Sequence, residues 1–170
     1  EGKISFSESL NRRIKLINCD IDDINKTIKV LNKQVSDSFK KNISFLKNNS
    51  ESIYIVSSGF HELIDPIVTK YGIKRENIYA NRFLYNKKKI IGYDKKNPLS
   101  LSQGKVKLVR KLDLKGEIHV IGDGYTDFEI KKEGLASYFY LFTENIKRES
   151  IVKSADYLLK SLDQFIKIIK

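Results

Sequence analysis

Three polar side chains are of the types that could bind a phosphate group and assist its transfer. Ser57 follows a short apolar run, Lys105 follows Ser-Gln-Gly, and Asp123 lies in Gly-Asp-Gly-Tyr-Thr-Asp, which ends at Asp127. Phosphoryl transfer needs hydroxyl and amide groups that hold phosphate oxygens, a cation that neutralises them, and carboxylates that hold a magnesium ion. The sequence offers a candidate for each of these parts.

Each candidate taken alone has a more ordinary explanation. A serine at the end of a strand often caps the next helix, a helical lysine is usually solvated, and two aspartates four residues apart can serve as turn and cap residues. The combination, in this order and spacing, indicates a phosphate site more strongly than any single residue does.

The elements that would position these residues alternate between strands and helices. The apolar run 53–56 predicts a strand that ends at Ser57, and 117–121 predicts one that runs into Asp123. This alternation favours a Rossmann-like α/β fold with a parallel sheet flanked by helices, in which ligands bind at the carboxyl ends of strands. Further predicted elements are a strand at 138–142, a hairpin joining 78–84 to 89–93, and helices that include 7–17, 105–112, 127–133 and 161–169.

The composition is typical of one main domain. With 170 residues and 41% hydrophobic content, the chain can bury one core. Its apolar runs are strand-sized, none resembles a secretory signal, and the single Cys19 has no partner for an internal disulfide. We therefore expect a soluble, cytoplasmic protein with no membrane partner.

The net charge of +11 raises the alternative of a nucleic-acid-binding protein. Lysines are scattered along the chain, however, and the densest run, Lys87–Lys89, falls at the predicted hairpin turn. We interpret the excess charge as a solvated surface that would attract a phosphorylated substrate, and we expect no nucleic-acid partner.

Four motifs in order resemble the phosphoserine phosphatases of the haloacid-dehalogenase superfamily. They are Ile-Val-Ser-Ser-Gly-Phe at 55–60, Ala-Asn-Arg-Phe at 80–83, Ser-Gln-Gly-Lys at 102–105 and Gly-Asp-Gly-Tyr-Thr-Asp at 122–127. The similarity extends over practically the whole chain. It implies a remnant of a helical cap at 1–34 and a Rossmann-like phosphatase core at 35–170 that lacks its first strand.

The resemblance implies that Ser57 and the amide of Ser58 or Gly59 bind phosphate, although the family usually has glycine where Ser58 stands. Lys105 would neutralise the phosphate and the attacking carboxylate. Asp123 would ligate Mg²⁺.

The resemblance also assigns roles around the substrate. Asp127 would orient Lys105 or support the metal ligands, and Thr126 would contact the substrate. The opening segment is similar to the family's cap. The resemblance implies that Phe6 approaches the substrate and that Arg13 binds the substrate carboxylate through its planar guanidinium.

The nucleophile of the family lies in a DxDxT motif that these 170 residues do not contain. Asp20-Ile21-Asp22 is a weak substitute, because it lacks the threonine and lies between two helical patterns, where it is better interpreted as a helix start. We therefore expect a fragment, a proteolysis product or part of a larger protein, inactive alone. Its exposed sheet edge would be covered by the missing amino-terminal segment or in a homo-oligomer.

The leading hypothesis is a Mg²⁺-dependent phosphatase that hydrolyses O-phospho-L-serine through an aspartyl-phosphate. Two alternatives stay open: the same chemistry on another small phosphate ester, and a non-catalytic binding or assembly module with this fold. His119, inside a strand, is expected to be a hydrogen-bonded structural histidine, and His61 is expected on the surface or at a helix cap.

Overall fold

The computed structural model describes residues 4–169, which divide into two compact units. The first unit contains the described residues up to Val35 together with Ile43–Gly104, and the second contains Ser36–Asn42 with the described residues from Lys105 onward. The predicted boundary between cap and core at residue 34 stays a prediction, because the two units divide the chain differently.

Strands and helices alternate through most of the chain. The helices are α1 (Phe6–Leu16), α2 (Ile21–Lys33), α3 (Asp37–Lys41), α4 (Ile43–Asn48), α5 (His61–Val68), α6 (Gly104–Leu112), α7 (Tyr125–Lys132), α8 (Glu149–Val152) and α9 (Leu162–Ile168). The strands are β1 (Ile55–Phe60), β2 (Ile78–Asn81), β3 (Phe83–Asn86), β4 (Lys89–Tyr93), β5 (His119–Gly122), β6 (Tyr138–Phe142) and β7 (Tyr157–Leu159). None of the helices within residues 4–169 has the length and apolarity that a membrane span requires.

The first unit holds a parallel pair and a hairpin. β1 pairs with β2 in parallel, and β3 pairs with β4 antiparallel across a turn in which Lys87 has a positive φ of 51°. The predicted hairpin is thus confirmed. The predicted run 78–84 proves to be two strands, since β2 leaves the hairpin to join β1.

The core of the first unit lies between α1 and the hairpin. Leu10 and Ile14 of α1 pack on side chains from the strands, and the rings of Phe60 and Phe83 stack with centroids 3.7 Å apart. Aliphatic residues four apart on a helix lie on one face, so α1 presents this pair to the core.

The acidic segment before α2 begins a helix, as expected. The Asp20 carboxylate accepts hydrogen bonds from the backbone amides of Asp22 and Asp23, and the Asp23 side chain accepts one from Asp20 in return. This reciprocal capping satisfies amides that have no partner inside the helix. The interpretation of Asp20-Ile21-Asp22 as a helix start is confirmed.

The second unit is built on a parallel sheet in the order β5-β6-β7. β6 is central, and Phe139 and Leu141 on it are fully buried against Ile151 of α8. On its other side, β5 pairs with no strand among residues 4–169. The expected parallel α/β architecture with a hairpin is confirmed. Asp123 directly follows the carboxyl end of β5.

Ser38 joins three segments of the second unit. Its hydroxyl donates to the Glu144 carboxylate, its own amide donates to Glu144 Oε1 at 3.0 Å, and its Oγ accepts from the buried amide of Leu162 at 2.9 Å. The hydroxyl therefore ties α3 to the loop after β6 and to the start of α9.

We predict that Ser38→Ala destabilises the protein by about 1–3 kcal/mol, because it leaves the Leu162 amide without its acceptor. Ser36→Ala is the matched control, since Ser36 Oγ accepts an exposed hydrogen bond from Asn145. Urea denaturation measures both. Equal unfolding midpoints for the two variants would contradict this role of Ser38.

Candidate active site

Ser57 lies inside β1 rather than at its end. The regular pairing of β1 with β2 stops at Val56 and resumes at Phe60, so Ser57–Gly59 form an irregular segment within the strand. Irregular segments of this kind free backbone groups from the ladder and redirect side chains, often beside active sites. We call Ser57–Gly59 the phosphate loop, after the role that the sequence predicts for it.

Hydrogen bonding inside the phosphate loop orients the Ser57 hydroxyl. Ser57 Oγ accepts a hydrogen bond from the Gly59 amide at 3.0 Å. Because that bond uses an oxygen lone pair, the hydroxyl proton can be donated to an incoming phosphate oxygen. The Gly59 amide itself is engaged within the loop, which makes the Ser58 amide the stronger of the two predicted phosphate donors.

Lys105 and Asp127 form an ion pair in the interior of the second unit. Lys105 Nζ lies 2.6 Å from Asp127 Oδ1, and the two side chains are only 14% and 10% exposed. The other carboxylate oxygen accepts a hydrogen bond from the Gly124 amide at 3.2 Å. With both oxygens engaged, Asp127 fixes the position of the Lys105 ammonium in the first turn of α6.

Gly122 makes room for the Asp127 carboxylate. A Cβ on Gly122 would lie 2.2 Å from Asp127 Cγ and 2.4 Å from Oδ2, which is far inside van der Waals contact. Only a residue without a side chain lets the carboxylate lie against the end of β5. The first glycine of Gly-Asp-Gly is therefore required by packing.

Asp123 follows β5 and is half exposed. Arg148, just before α8, donates to Asp123 Oδ2 from both Nε and Nη2, each at 3.1 Å. The side chains of the pair are 47% and 49% exposed, so the ion pair itself stabilises little. The sequence analysis missed Arg148, which stands in a polar segment without periodicity or motif.

A divalent metal ion would find only part of its ligands here. Among residues 4–169 no group of three His, Cys, Asp or Glu side chains could hold a metal. Mg²⁺ commonly takes one or two carboxylates and completes its shell with water and substrate phosphate. The Asp123 carboxylate fits such an ion as one ligand.

The residues expected to recognise the substrate lie on the helices α1 and α7. Phe6 begins α1 and is partly buried against the core of the first unit, whereas Arg13 is exposed on α1 and donates from Nε to Ser9 O at 3.3 Å. Thr126 is exposed in the first turn of α7. Their contacts with a substrate stay predictions.

The predicted site residues are divided between the two units. Phe6, Arg13 and the phosphate loop belong to the first, and Lys105, Asp123, Thr126 and Asp127 belong to the second. The structure brings Lys105 and Asp127 into direct contact. The expectation that Ser57, Lys105 and Asp123 belong to one phosphate site stays a prediction.

Both histidines have internal hydrogen bonds. His61 Nε2 accepts from the Ala80 amide at 3.1 Å, so its proton is on Nδ1, which donates to Asp65 at 2.8 Å. The expected surface or capping position of His61 is wrong, since the ring joins α5 to β2. His119 Nδ1 lies 2.9 Å from the Tyr140 hydroxyl, and burial raises the pKa of Tyr140 to about 12. Both rings hold structure, which was expected for His119.

Comparison with known proteins identifies relatives along nearly the entire chain. No protein-family model matches it. It is 31% identical to the chloroplastic phosphoserine phosphatase of Arabidopsis thaliana over 97% of the chain and 57% of that protein. It is 30% identical to the phosphoserine phosphatase of Drosophila melanogaster over 97% of the chain and 62% of that protein. The chain thus spans about three fifths of the length of these relatives.

A solved structure shares the fold. A phosphoserine phosphohydrolase-like protein from Francisella tularensis superposes with a TM-score of 0.84 at 29% identity, covering 99% of this chain and 79% of the other. The fold of this chain is therefore one already seen in a crystal structure.

Proposed function

We propose that the chain is a member of the phosphoserine phosphatase family of the haloacid-dehalogenase superfamily, as its similarity to these proteins supports, and that it carries most of the machinery for hydrolysing O-phospho-L-serine to L-serine and phosphate. The observation that carries the proposal is the buried Lys105–Asp127 pair beside the carboxyl end of β5. A lysine fixed in this way is suited to a phosphate dianion, which needs a cation held in place before the substrate arrives.

Lys105 supplies charge stabilisation in the proposed reaction. Negative charge on the transferring phosphoryl group is spread over its equatorial oxygens, and an ammonium group shielded from water stabilises that charge more than a solvated one does. Asp127 acts through Lys105 by holding Nζ in place. The Ser57 hydroxyl donates a hydrogen bond to a phosphate oxygen.

The nucleophile comes from outside these 170 residues in our proposal, because they contain no DxDxT motif. An aspartate carboxylate attacks phosphorus and the seryl oxygen leaves with a proton from a second aspartate. Water then hydrolyses the aspartyl-phosphate. The unpaired edge of β5 within residues 4–169 offers a place for a strand that carries these aspartates. We expect residues 1–170 alone to release no phosphate.

Mg²⁺ is the divalent ion that we propose, with Asp123 as one of its ligands. When bound, it would offset the charge of the phosphate and of the attacking carboxylate. Asp123 would hold the ion while the Arg148 guanidinium donates to Oδ2 of the same carboxylate.

Arg13 would select the carboxylate of the substrate. We predict that Arg13→Ala lowers kcat/KM for O-phospho-L-serine by about 10- to 100-fold, the value of a charge-assisted hydrogen bond. Hydrolysis of O-phosphoethanolamine, which lacks the carboxylate, should change little. Steady-state kinetics of the full-length protein on both esters measure this selectivity.

Arg12→Ala is the matched control for that experiment. Arg12 is the neighbouring arginine and forms an exposed ion pair with Glu8 at 2.6 Å. Its removal should leave both esters unaffected. If Arg13→Ala slows hydrolysis of the two esters equally, Arg13 does not recognise the carboxylate. The hypothesis that the substrate is another small phosphate ester would then be favoured.

A non-catalytic binding or assembly module is the second candidate function. The absence of a DxDxT motif from these residues favours it. Phosphate release by the full-length protein would exclude it.

We propose that the binding partner is a small phosphorylated molecule, and we expect no nucleic-acid partner. It places the enzyme in the cytoplasm, whose reducing conditions suit the free Cys19. A homo-oligomer, or the segment that carries the nucleophile, would cover the unpaired edge of β5.

A further inference from the structure

Asn81 is a polar side chain with no access to solvent. It ends β2, and its exposed fraction is 0%. Its Nδ2 donates to Ser58 O at 3.0 Å and to Leu99 O at 3.3 Å, while Oδ1 has no hydrogen-bond partner among the described residues. Because both neighbours of Nδ2 are carbonyl acceptors, the orientation of the amide is fixed. A buried amide is costly, so its specific bonds call for an explanation.

The position of Asn81 in the sheet explains why Ser58 needs a partner. Val56 pairs with Tyr79 and Phe60 pairs with Asn81, so the three residues of the phosphate loop stand opposite the single Ala80. Two extra residues in one strand cannot all keep their ladder hydrogen bonds. The Asn81 side chain supplies the donor that Ser58 O would otherwise lack.

A second contact anchors the amide of Asn81. Leu99, whose carbonyl accepts the other Nδ2 hydrogen, lies in the turn Pro98–Ser100. The preceding Asn97 donates from Nδ2 to Ala80 O at 2.7 Å, next to Asn81 itself. Through these bonds the turn, the end of β2 and the phosphate loop form one hydrogen-bonded group.

We propose that Asn81 is a positioning residue that holds the phosphate loop in its binding conformation. The inference rests on the proposed function, since the ligand of the loop is the phosphate group. By holding Ser58 O, Asn81 fixes the peptide plane between Ser58 and Gly59. The Gly59 amide is thereby directed at Ser57 Oγ, and the Ser57 hydroxyl proton is left for phosphate.

The test compares Asn81→Ala with Asn77→Ala in the full-length protein. Asn77 is also buried, and its Nδ2 likewise donates to two backbone carbonyls, those of Ser50 and Glu51, away from the phosphate loop. Both variants should lose thermal stability. Titration calorimetry with inorganic phosphate, well below either Tm, should give a Kd about 10-fold weaker for Asn81→Ala, equivalent to about one hydrogen bond. Asn77→Ala should retain the wild-type Kd.

Ser57→Ala separates this inference from the proposed function. If Ser57→Ala weakens phosphate binding and Asn81→Ala does not, Asn81 has only a structural role and the inference is wrong. If the wild type itself binds no phosphate, the proposed function is wrong as well as the inference. If Asn81→Ala does not fold, Asn81→Ser takes its place, because serine leaves a smaller cavity. A wild-type Kd for Asn81→Ser would also overturn the inference.

Discussion

Replacing Lys105 with methionine is expected to lower kcat for phosphoserine by at least about 100-fold in the full-length protein. The loss has the size found when one preorganised charge or hydrogen-bond donor is removed from a transition state. Methionine preserves the length and most of the volume of the side chain, so the change is mainly one of charge. Steady-state kinetics of phosphate release measure it.

The same substitution removes one partner of a buried ion pair. Asp127 would keep its hydrogen bond from Gly124 but would lose its ammonium partner. Removing one partner of a buried ion pair costs about 3–5 kcal/mol of stability. Denaturant unfolding measures that loss separately from kcat. Because Lys105 and Asp127 act as a unit, Asp127→Asn and Lys105→Met together should cost much less than the sum of the two single variants.

Lys107→Met is the control for charge on α6. Lys107 is exposed, two residues along the same helix, where the side chain points in a different direction. It should keep wild-type kcat and stability. A comparable loss of kcat in both variants would show that general surface charge, rather than the buried ammonium group, supports the reaction.

Gly122→Ala is expected to be the most damaging addition of a single methyl group in the second unit. The new Cβ would occupy the position of the Asp127 carboxylate, which must move away from the end of β5 and from Lys105. Overpacking costs about 1–3 kcal/mol, to which the disrupted ion pair adds. We also expect kcat/KM to fall by about 100-fold, as when a catalytic group is displaced by about 1 Å. Thermal unfolding and phosphatase kinetics measure the two effects.

Gly124→Ala provides the stability control two residues later. Its Cβ would lie 3.5 Å from Asp127 Oδ2, an ordinary van der Waals distance, and its φ of −127° suits any residue. Its Tm should stay close to that of the wild type. If Gly122→Ala is as stable as Gly124→Ala, the close approach of Asp127 to β5 is not a constraint on this protein.

Local sequence patterns predicted the elements whose side chains alternate or repeat clearly. The strand Tyr138–Phe142 lies where its aromatic run predicts, since β6 is central and apolar on both faces. β7 was missed because it has three residues, of which Tyr157 and Leu158 are exposed, and so shows no alternation. Period and burial are informative only where a strand is long enough to show both.

The phosphate loop shows what a local pattern cannot supply. The sequence predicts a strand that ends at Ser57, whereas β1 continues to Phe60 around an irregular segment. Whether residues leave or rejoin a ladder depends on the partner strand, here β2 and its Asn81, which lies more than twenty residues away. The pairing of Arg148 with Asp123 is hidden from the sequence for the same reason.

The motif residues of the second unit were accessible to sequence reasoning. The spacing of Ser-Gln-Gly-Lys and Gly-Asp-Gly-Tyr-Thr-Asp singled out Lys105 and Asp127, and the structure places them 2.6 Å apart. What the spacing could not reveal is the reason for Gly122, since that depends on the side-chain conformation of Asp127.

The most direct measurement is the initial rate of phosphate release from O-phospho-L-serine with Mg²⁺, for the full-length wild type and for Asp123→Asn. We predict steady turnover by the wild type and a rate at least about 100-fold lower for the variant, because asparagine keeps the shape of the side chain but lacks the charge that holds the ion. Equal rates for the two proteins would contradict a metal-dependent phosphatase centred on Asp123.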